Sequence, residues 1–250
     1  MAKYSICTTC YNSEEIVDEF LEPLLKLGND YEIVVVDGGS TDNTFEKLEK
    51  YKNRIKLIEK KCNIGTGREI ALENASGEVI INLDFDVQIN NIEFIIKDFV
   101  TNFNNKIIRY LIPDASCTHT IYVGYKNDFV KVGGFPNISF ADDVYLDKKL
   151  NGLNLLVCRE IELQHKCLKI RNYGSGKTSR YETNFLKKLN RRILITRDNI
   201  FVNNYNFRDL IEFYQLTGYN KILKGLPLYT IGKFLTIFIK VPKVEDEIES

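Results

Sequence analysis

Two carboxylates one residue apart close a hydrophobic run in Leu83-Asp84-Phe85-Asp86. If the pleat of a strand continued through them, both side chains would face one side. Hard divalent cations such as Mg2+ or Mn2+ take oxygen ligands of this kind and share them with substrate phosphates. An exposed acidic turn has the same spelling, so the weight of the motif comes from the strand that delivers it. A second segment, Val36-Asp37-Gly38-Gly39-Ser40-Thr41-Asp42, ends a β-branched run on an acid. Its glycines permit close backbone approach, and Ser40 or Thr41 suits the cap of the next helix. A strand–turn–helix joint accounts for Gly39 to Asp42 without a ligand. It leaves Asp37 unexplained, and a hydrogen bond to a base or ribose would hold that charge. A third segment, Ala141-Asp142-Asp143-Val144-Tyr145-Leu146, follows Gly133-Gly134-Phe135. Acids at a helix N-terminus are favoured by the macrodipole; the chemical reading makes one of the pair a general base.

These residues need a scaffold, and the chain alternates strand-like and helix-like stretches that supply one. Ser5 to Thr9 reads as a buried strand, and Ile16, Val17, Phe20, Leu21, Leu24 and Leu25 repeat at helical spacing. Tyr31 to Val36 is too continuously apolar for a half-exposed strand and suits the centre of a parallel sheet. A helix over 41–50, a strand over 55–59, a helix over 66–74 and a strand over 79–83 continue the pattern. Four strands alternating with three helices predict an α/β layer with crossover helices, whose ligands sit at the carboxyl ends of the strands. After about residue 105 the strands come closer together, at 107–112 and 118–124. A helix over 142–150 and strands over 153–157 and 161–165 follow, giving a mixed-sheet second half on the same core.

The composition bounds the class. The chain has 250 residues, 44% hydrophobic and 27% charged, the balance of a folded protein. Formal net charge is zero, so nothing global points to nucleic acid. Between His165 and Ile200, however, ten Lys or Arg face two acids, Glu182 and Asp198. Cys7 and Cys10 lie inside an apolar run, where residues three apart point to opposite faces, so they are expected as buried free thiols. The strand pattern begins at once, leaving no room for a signal peptide, and a cytoplasmic location is expected. Leu228, Ile231, Phe234, Leu235, Phe238 and Val241 mark a broad apolar face near the C-terminus, which suits packing on the domain or lying in a membrane interface.

In order along the chain, these segments resemble the family 2 glycosyltransferases with a GT-A fold, from about Lys3 to His165. Ser5-Ile6-Cys7-Thr8-Thr9-Cys10-Tyr11-Asn12 is similar to the opening strand, and Asp37-Gly38-Gly39-Ser40-Thr41-Asp42 to the nucleotide loop. Asn63-Ile64-Gly65 with Arg68 resembles the N-x-G segment, and Ala75-Ser76-Gly77-Glu78 leads into the D-x-D. Val132-Gly133-Gly134-Phe135 and Asp142-Asp143 stand where the family has G-G-F and an E-D pair. The resemblance implies a GT-A-type nucleotide-binding sheet flanked by helices, a mixed second half and a helical C-terminal extension. Residues 1–170 would form the catalytic domain, with a donor half to about 105 and an acceptor half from 106, and 171–250 the extension. It further implies that Thr9, Tyr11 and Asp37 hold the nucleoside, with Arg68 and Asp84 near ribose or diphosphate. Asp86 would be the principal ligand of Mg2+ or Mn2+ and His165 an additional one. Asp143 would be the catalytic base, with Gly134 and Asp142 on the acceptor side.

Two departures stand out: Thr9 occupies a place that is often Pro, and Asp142 replaces the usual Glu. The Q-x-x-R-W segment of processive synthases is absent, so single-sugar transfer is expected. The implied reaction carries a sugar from a nucleotide-sugar donor to a glycan or lipid-linked acceptor with inversion. Lys169, Arg171, Lys177 and Arg180 surround a glycine-containing loop suited to closing over a diphosphate. Lys187, Lys188, Arg191 and Arg192 suit anionic head groups, which with the apolar tail predicts peripheral contact with the inner face of a membrane. Three other readings compete. A P-loop at Gly174-Ser175-Gly176-Lys177-Thr178 lacks its first glycine, because Arg171 holds that position. A nucleotidyltransferase would carry a basic glycine-rich loop after the first strand, where this chain has Cys10-Tyr11-Asn12-Ser13-Glu14-Glu15. A non-catalytic nucleotide- or sugar-binding module would have no use for both Asp86 and Asp143.

Overall fold

The computed structural model describes residues 3–103, 105–113, 118–138, 142–160 and 165–168. The basic segment beyond Leu168, the P-loop-like stretch, the extension over 171–250 and its apolar tail lie outside the described residues, as do Ala141 and residues 161–164.

In chain order the first half runs β1 (Tyr4–Cys10), α1 (Val17–Leu24), β2 (Tyr31–Asp37), α2 (Thr44–Glu49), β3 (Lys56–Glu59), α3 (Ile64–Asn74) and β4 (Val79–Leu83). The second half runs β5 (Val87–Ile89), α4 (Ile92–Asn102), β6 (Ile107–Pro113), β7 (Thr118–Tyr125), α5 (Lys126–Lys131), α6 (Asp142–Gly152), β8 (Leu156–Glu160) and β9 (His165–Cys167). Seven strands form one sheet in the order β3-β2-β1-β4-β7-β6-β8. Its pairs are parallel except where β7 meets β4 and β6. β5 and β9 make a separate antiparallel ribbon. This is the expected α/β layer with a mixed second half.

Strand alternation divides the core. Ile6, Cys10, Ile33, Val35, Ile81 and Leu83 pack with α1 and α4 on one face. Cys7, Val34, Val36 and Ile80 pack with α3, α5 and α6 on the other. Cys7 and Cys10 are therefore buried, outside any disulfide and on opposite faces, as their spacing requires. Each large side chain removed from water stabilises the layer by about 1.5–3 kcal/mol.

Several elements differ from expectation. α2 starts at Thr44 because the Asp42 carboxylate accepts from the Thr44 amide at 3.0 Å, keeping the preceding residues in a loop. Asn43, with no side-chain cap bond, stands at the cap position expected for Ser40 or Thr41. α3 starts at Ile64 because Asn63 Oδ1 accepts from the Thr66 amide at 2.9 Å. β8 begins at Leu156, delayed by a turn in which Asn154 takes φ +54°. α4 and α5 are not among the expected elements, although Ile92, Ile95, Ile96 and Phe99 follow helical periodicity.

The topology also fixes where a ligand can meet the sheet. β1, β2 and β3 advance to one side, whereas β4 lies on the other side of β1. Such a reversal opens a crevice between the loops at the carboxyl ends of the two strands. Here those loops begin at Tyr11 and Asp84. Among the described residues no helix is long and apolar enough to cross a membrane.

Candidate active site at the strand-order reversal

Arg68 is the hub of this end of the sheet. It lies one turn into α3, and its side chain is 7% exposed. Nη2 lies 2.6 Å from Asp84 Oδ1, and Nη1 donates to Asp142 Oδ2. The Phe135 ring centroid is 5.9 Å from the guanidinium carbon. Asp84 follows β4 and Asp142 opens α6, so one side chain joins the D-x-D turn to the acid pair. Burial works against the Arg68 charge, but Asp142, Asp84 and Asp143 outweigh it and hold the guanidinium firmly protonated. Burial dominates at Asp142 and raises its carboxyl above the usual range; Arg68 opposes this, while Asp143 and Asp84 add to it. The Arg68 guanidinium is thus already committed to two carboxylates.

The D-x-D is arranged differently from a continued strand. β4 ends at Leu83, and the Val87 amide donates to the Asp84 carbonyl at 3.3 Å, closing a turn. The turn replaces the pleat because Phe85 is buried and stacked on Phe20, with ring centroids 4.2 Å apart. Asp86 accepts the Leu168 amide on its carbonyl at 2.8 Å, and the ribbon register sets His165 opposite Ile89.

Asp143 stands on the first turn of α6 with its side chain 30% exposed, 3.4 Å from Arg109 Nη2. Nη1 of the same guanidinium is paired with Asp147. The Tyr122 hydroxyl shares its proton between Asp147 Oδ1 at 2.8 Å and the Asp143 carbonyl at 3.1 Å. Arg109, Tyr122 and Asp147 carried no motif. The spacing of Asp143 and Asp147 puts both on one helix face, but their partners become neighbours only through the register that pairs Arg109 with Tyr122.

The nucleoside-side candidates lie at the ends of β1 and β2. Thr9 Oγ1 donates to the Val36 carbonyl at 3.2 Å, and α3 packs so closely that a Cβ on Gly67 would lie 2.4 Å from that oxygen. Tyr11 lies just past β1, half-buried. Asp37 is fully buried and accepts from the Ser40 amide at 3.2 Å and from the Ser40 hydroxyl, within its own loop. Gly134 takes φ +62°, and the Glu69 carboxylate accepts the Phe135 amide at 2.6 Å. The N-x-G segment is a clasp: a Cβ on Gly65 would fall 2.0 Å from the Pro136 carbonyl oxygen, and Asn63 Nδ2 donates to Asn137 at 2.7 Å.

Residues 5–102 match the family model described as Glycosyl transferase family 2. That segment belongs to the family. The match spans Thr9, Tyr11, Asp37, Arg68, Asp84 and Asp86 and stops before Gly134, Asp142, Asp143 and His165. Over 98 residues the chain is 37% identical to the poly(ribitol-phosphate) beta-N-acetylglucosaminyltransferase TarS of Staphylococcus aureus, covering 36% of this chain and 17% of that one. Over 93 residues it is 37% identical to a poly(ribitol-phosphate) beta-glucosyltransferase of Bacillus spizizenii, covering 34% and 15%. The matched part is therefore under a fifth of either relative's own length. Among solved structures, S. aureus TarS 1-349 in complex with UDP-GlcNAc superposes with a TM-score of 0.62 at 17% identity, over 96% of this chain and 82% of that one. The mannosyltransferase PcManGT of Pyrobaculum calidifontis, in complex with GDP-Man and Mn2+, gives 0.53 at 14% identity, over 97% and 77%. The fold is GT-A.

Proposed function

We propose that this chain transfers a sugar from a nucleotide-diphosphate sugar to an acceptor hydroxyl, with inversion, using a divalent metal and Asp143 as general base. The observation that carries the reading is the contact of one guanidinium, Arg68, with both Asp84 and Asp142. It sets the D-x-D turn beside the acid pair at the strand-order reversal. The relatives named above as glycosyltransferases, and the neighbours bound to UDP-GlcNAc or to GDP-Man with Mn2+, support the same reaction class.

Attack on an anomeric carbon requires the acceptor hydroxyl to give up its proton to a group within hydrogen-bond reach. Asp143 suits this role because its side chain is 30% exposed, whereas that of Asp142 is 6% exposed and held by Arg68. With Asp143 as base and the acceptor hydroxyl as the attacking group, a single in-line displacement would break the bond to the nucleoside diphosphate and invert the centre. The D-x-D turn offers hard carboxylate oxygens of the kind Mg2+ and Mn2+ prefer alongside substrate phosphates. Asp86 would hold the metal, with His165 as additional ligand. When bound, the metal neutralises charge on the departing nucleoside diphosphate. Thr9, Tyr11 and Asp37 would shape the nucleoside end, Arg68 and Asp84 would lie near ribose or diphosphate, and Gly134 and Asp142 would border the acceptor, a glycan or lipid-linked acceptor. The catalytic domain would span 1–170.

Transfer from a panel of UDP- and GDP-sugars, followed as released nucleoside diphosphate, tests the proposal. Asp143→Asn should lower transfer by about 10²- to 10⁴-fold, the usual worth of a general base, while leaving nucleotide binding within a few-fold. Undiminished transfer by Asp143→Asn would refute the base assignment.

A further inference from the structure

The carboxylate proposed as base is one member of a cluster closed on its inner side and open on its outer one. Asp143 and Asp147 lie one turn apart on α6, where two like charges repel. Arg109 of β6 stands between them, paired through Nη1 with Asp147 and through Nη2, at 3.4 Å, with Asp143. Its guanidinium carbon lies 5.9 Å from the ring centroid of Tyr122, its cross-strand partner on β7. The Tyr122 hydroxyl in turn touches both Asp147 and the Asp143 backbone. Exposure rises outward, from 1% at Tyr122 to side-chain values of 13% at Asp147, 19% at Arg109 and 30% at Asp143. The sheet thus fixes the guanidinium, and the guanidinium reaches the more exposed of the two acids.

We propose that Arg109 is a positioning residue: anchored by Asp147 and Tyr122, it aims the Asp143 carboxylate. Asp147 takes the closer share of the cation, so Asp143 is steered without being locked into a tight ion pair. The inference rests on Asp143 being the base. Among the described residues, the charged and titratable groups facing Asp143 are Arg109 on β6, Tyr122 on β7, Arg68 on α3, and Asp142 and Asp147 on its own helix. Asp84, beyond β4, reaches this set through Arg68.

The test is the pH dependence of kcat, whose acidic limb follows protonation of the base in the enzyme–substrate complex. Arg109→Met removes the cation and leaves Asp147 as an uncompensated neighbour. Its acidic limb should move to higher pH by on the order of one unit, from Coulomb's law at such contact distances in a water-like dielectric. Asp147→Asn removes a like charge and releases the guanidinium toward Asp143, so its limb should move to lower pH. Arg109→Lys should recover part of the first shift, because an ammonium keeps the charge without the fork. Donor KM should stay within about threefold throughout, since the cluster lies on the acceptor side.

Opposite displacements by the first two variants are the expected result. Unmoved limbs, or displacements in one direction, would overturn the proposal. Should Arg109→Met fail to fold, Asp147→Asn decides alone, because a limb that stays or rises contradicts the inference. Active Asp143→Asn would remove the base reading itself, whereas an inactive Asp143→Asn with unmoved limbs elsewhere defeats only the positioning role.

Discussion

Arg68→Met is the perturbation with the largest consequence. It removes a guanidinium whose side chain is 7% exposed and leaves Asp142, at 6%, as a buried carboxylate without its cation. Breaking a buried pair from one side typically costs about 3–5 kcal/mol, because the remaining charge is desolvated and uncompensated. Asp84, 25% exposed, keeps access to water and adds less. The loss should depend on pH with a definite sign. Burial, aided by Asp143 and Asp84, already raises the Asp142 carboxyl above its ordinary value despite Arg68. A raised folded-state pKa means that the native state holds the proton more tightly than the unfolded chain. The contribution of Asp142 to stability is then complete below the unfolded value, about 3.9, and is lost as pH rises through the folded one. Removing Arg68 takes away the largest influence that favours the carboxylate, leaving only a lesser backbone hydrogen bond to do so, and the gap widens. Urea unfolding of the full chain should therefore show a deficit of about 3–5 kcal/mol at pH 7 that shrinks toward pH 4. Adding Asp142→Asn to Arg68→Met should recover much of it, as coupling between contacting residues requires. A deficit below about 1 kcal/mol at pH 7, or one unchanged on acidification, would show that the pair does not carry the energy assigned to it.

Gly65→Ala would place a Cβ 2.0 Å from the Pro136 carbonyl oxygen and 3.0 Å from that of Ile138, neither of them a flexible side-chain tip. It should cost about 1–3 kcal/mol in denaturant unfolding, whereas Gly28→Ala, with nothing within 4 Å of its Cβ, should stay within about 0.5 kcal/mol. Chelation by EDTA should stop transfer, and excess Mn2+ should restore it. Asp86→Ala should weaken Mn2+-dependent UDP binding at least about tenfold in calorimetry, in line with the loss of a hard oxygen ligand; unchanged binding would remove Asp86 from the metal assignment.

The chain by itself determined the layer and the places where chemistry collects. Apolar runs such as Tyr31 to Val36 can be satisfied only at the centre of a sheet, and the periodicity of Ile16 to Leu25 can be satisfied only by a helix against it. Those preferences are local, so they were legible residue by residue. Acids at the ends of such runs, Asp37 and Asp84, mark the carboxyl ends of strands for the same reason. Segment ends and partners were not legible. The stacking of Phe85 on Phe20 turned the D-x-D out of the strand, and Asp42 delayed the helix expected at residue 41.

Only the tertiary structure decided what each acid faces. Ser40 satisfies Asp37 from within its own loop. Arg68, expected from the resemblance near ribose or diphosphate, contacts Asp84 and Asp142, which lie far apart in the chain. Arg109 and Tyr122 become neighbours only because β6 and β7 pair in one register, and α6 then lays Asp143 and Asp147 over them. Ion pairs and hydrogen bonds act over a few ångströms between residues distant in sequence. Their partners are therefore set by strand register and helix placement, which no local pattern of residue types encodes.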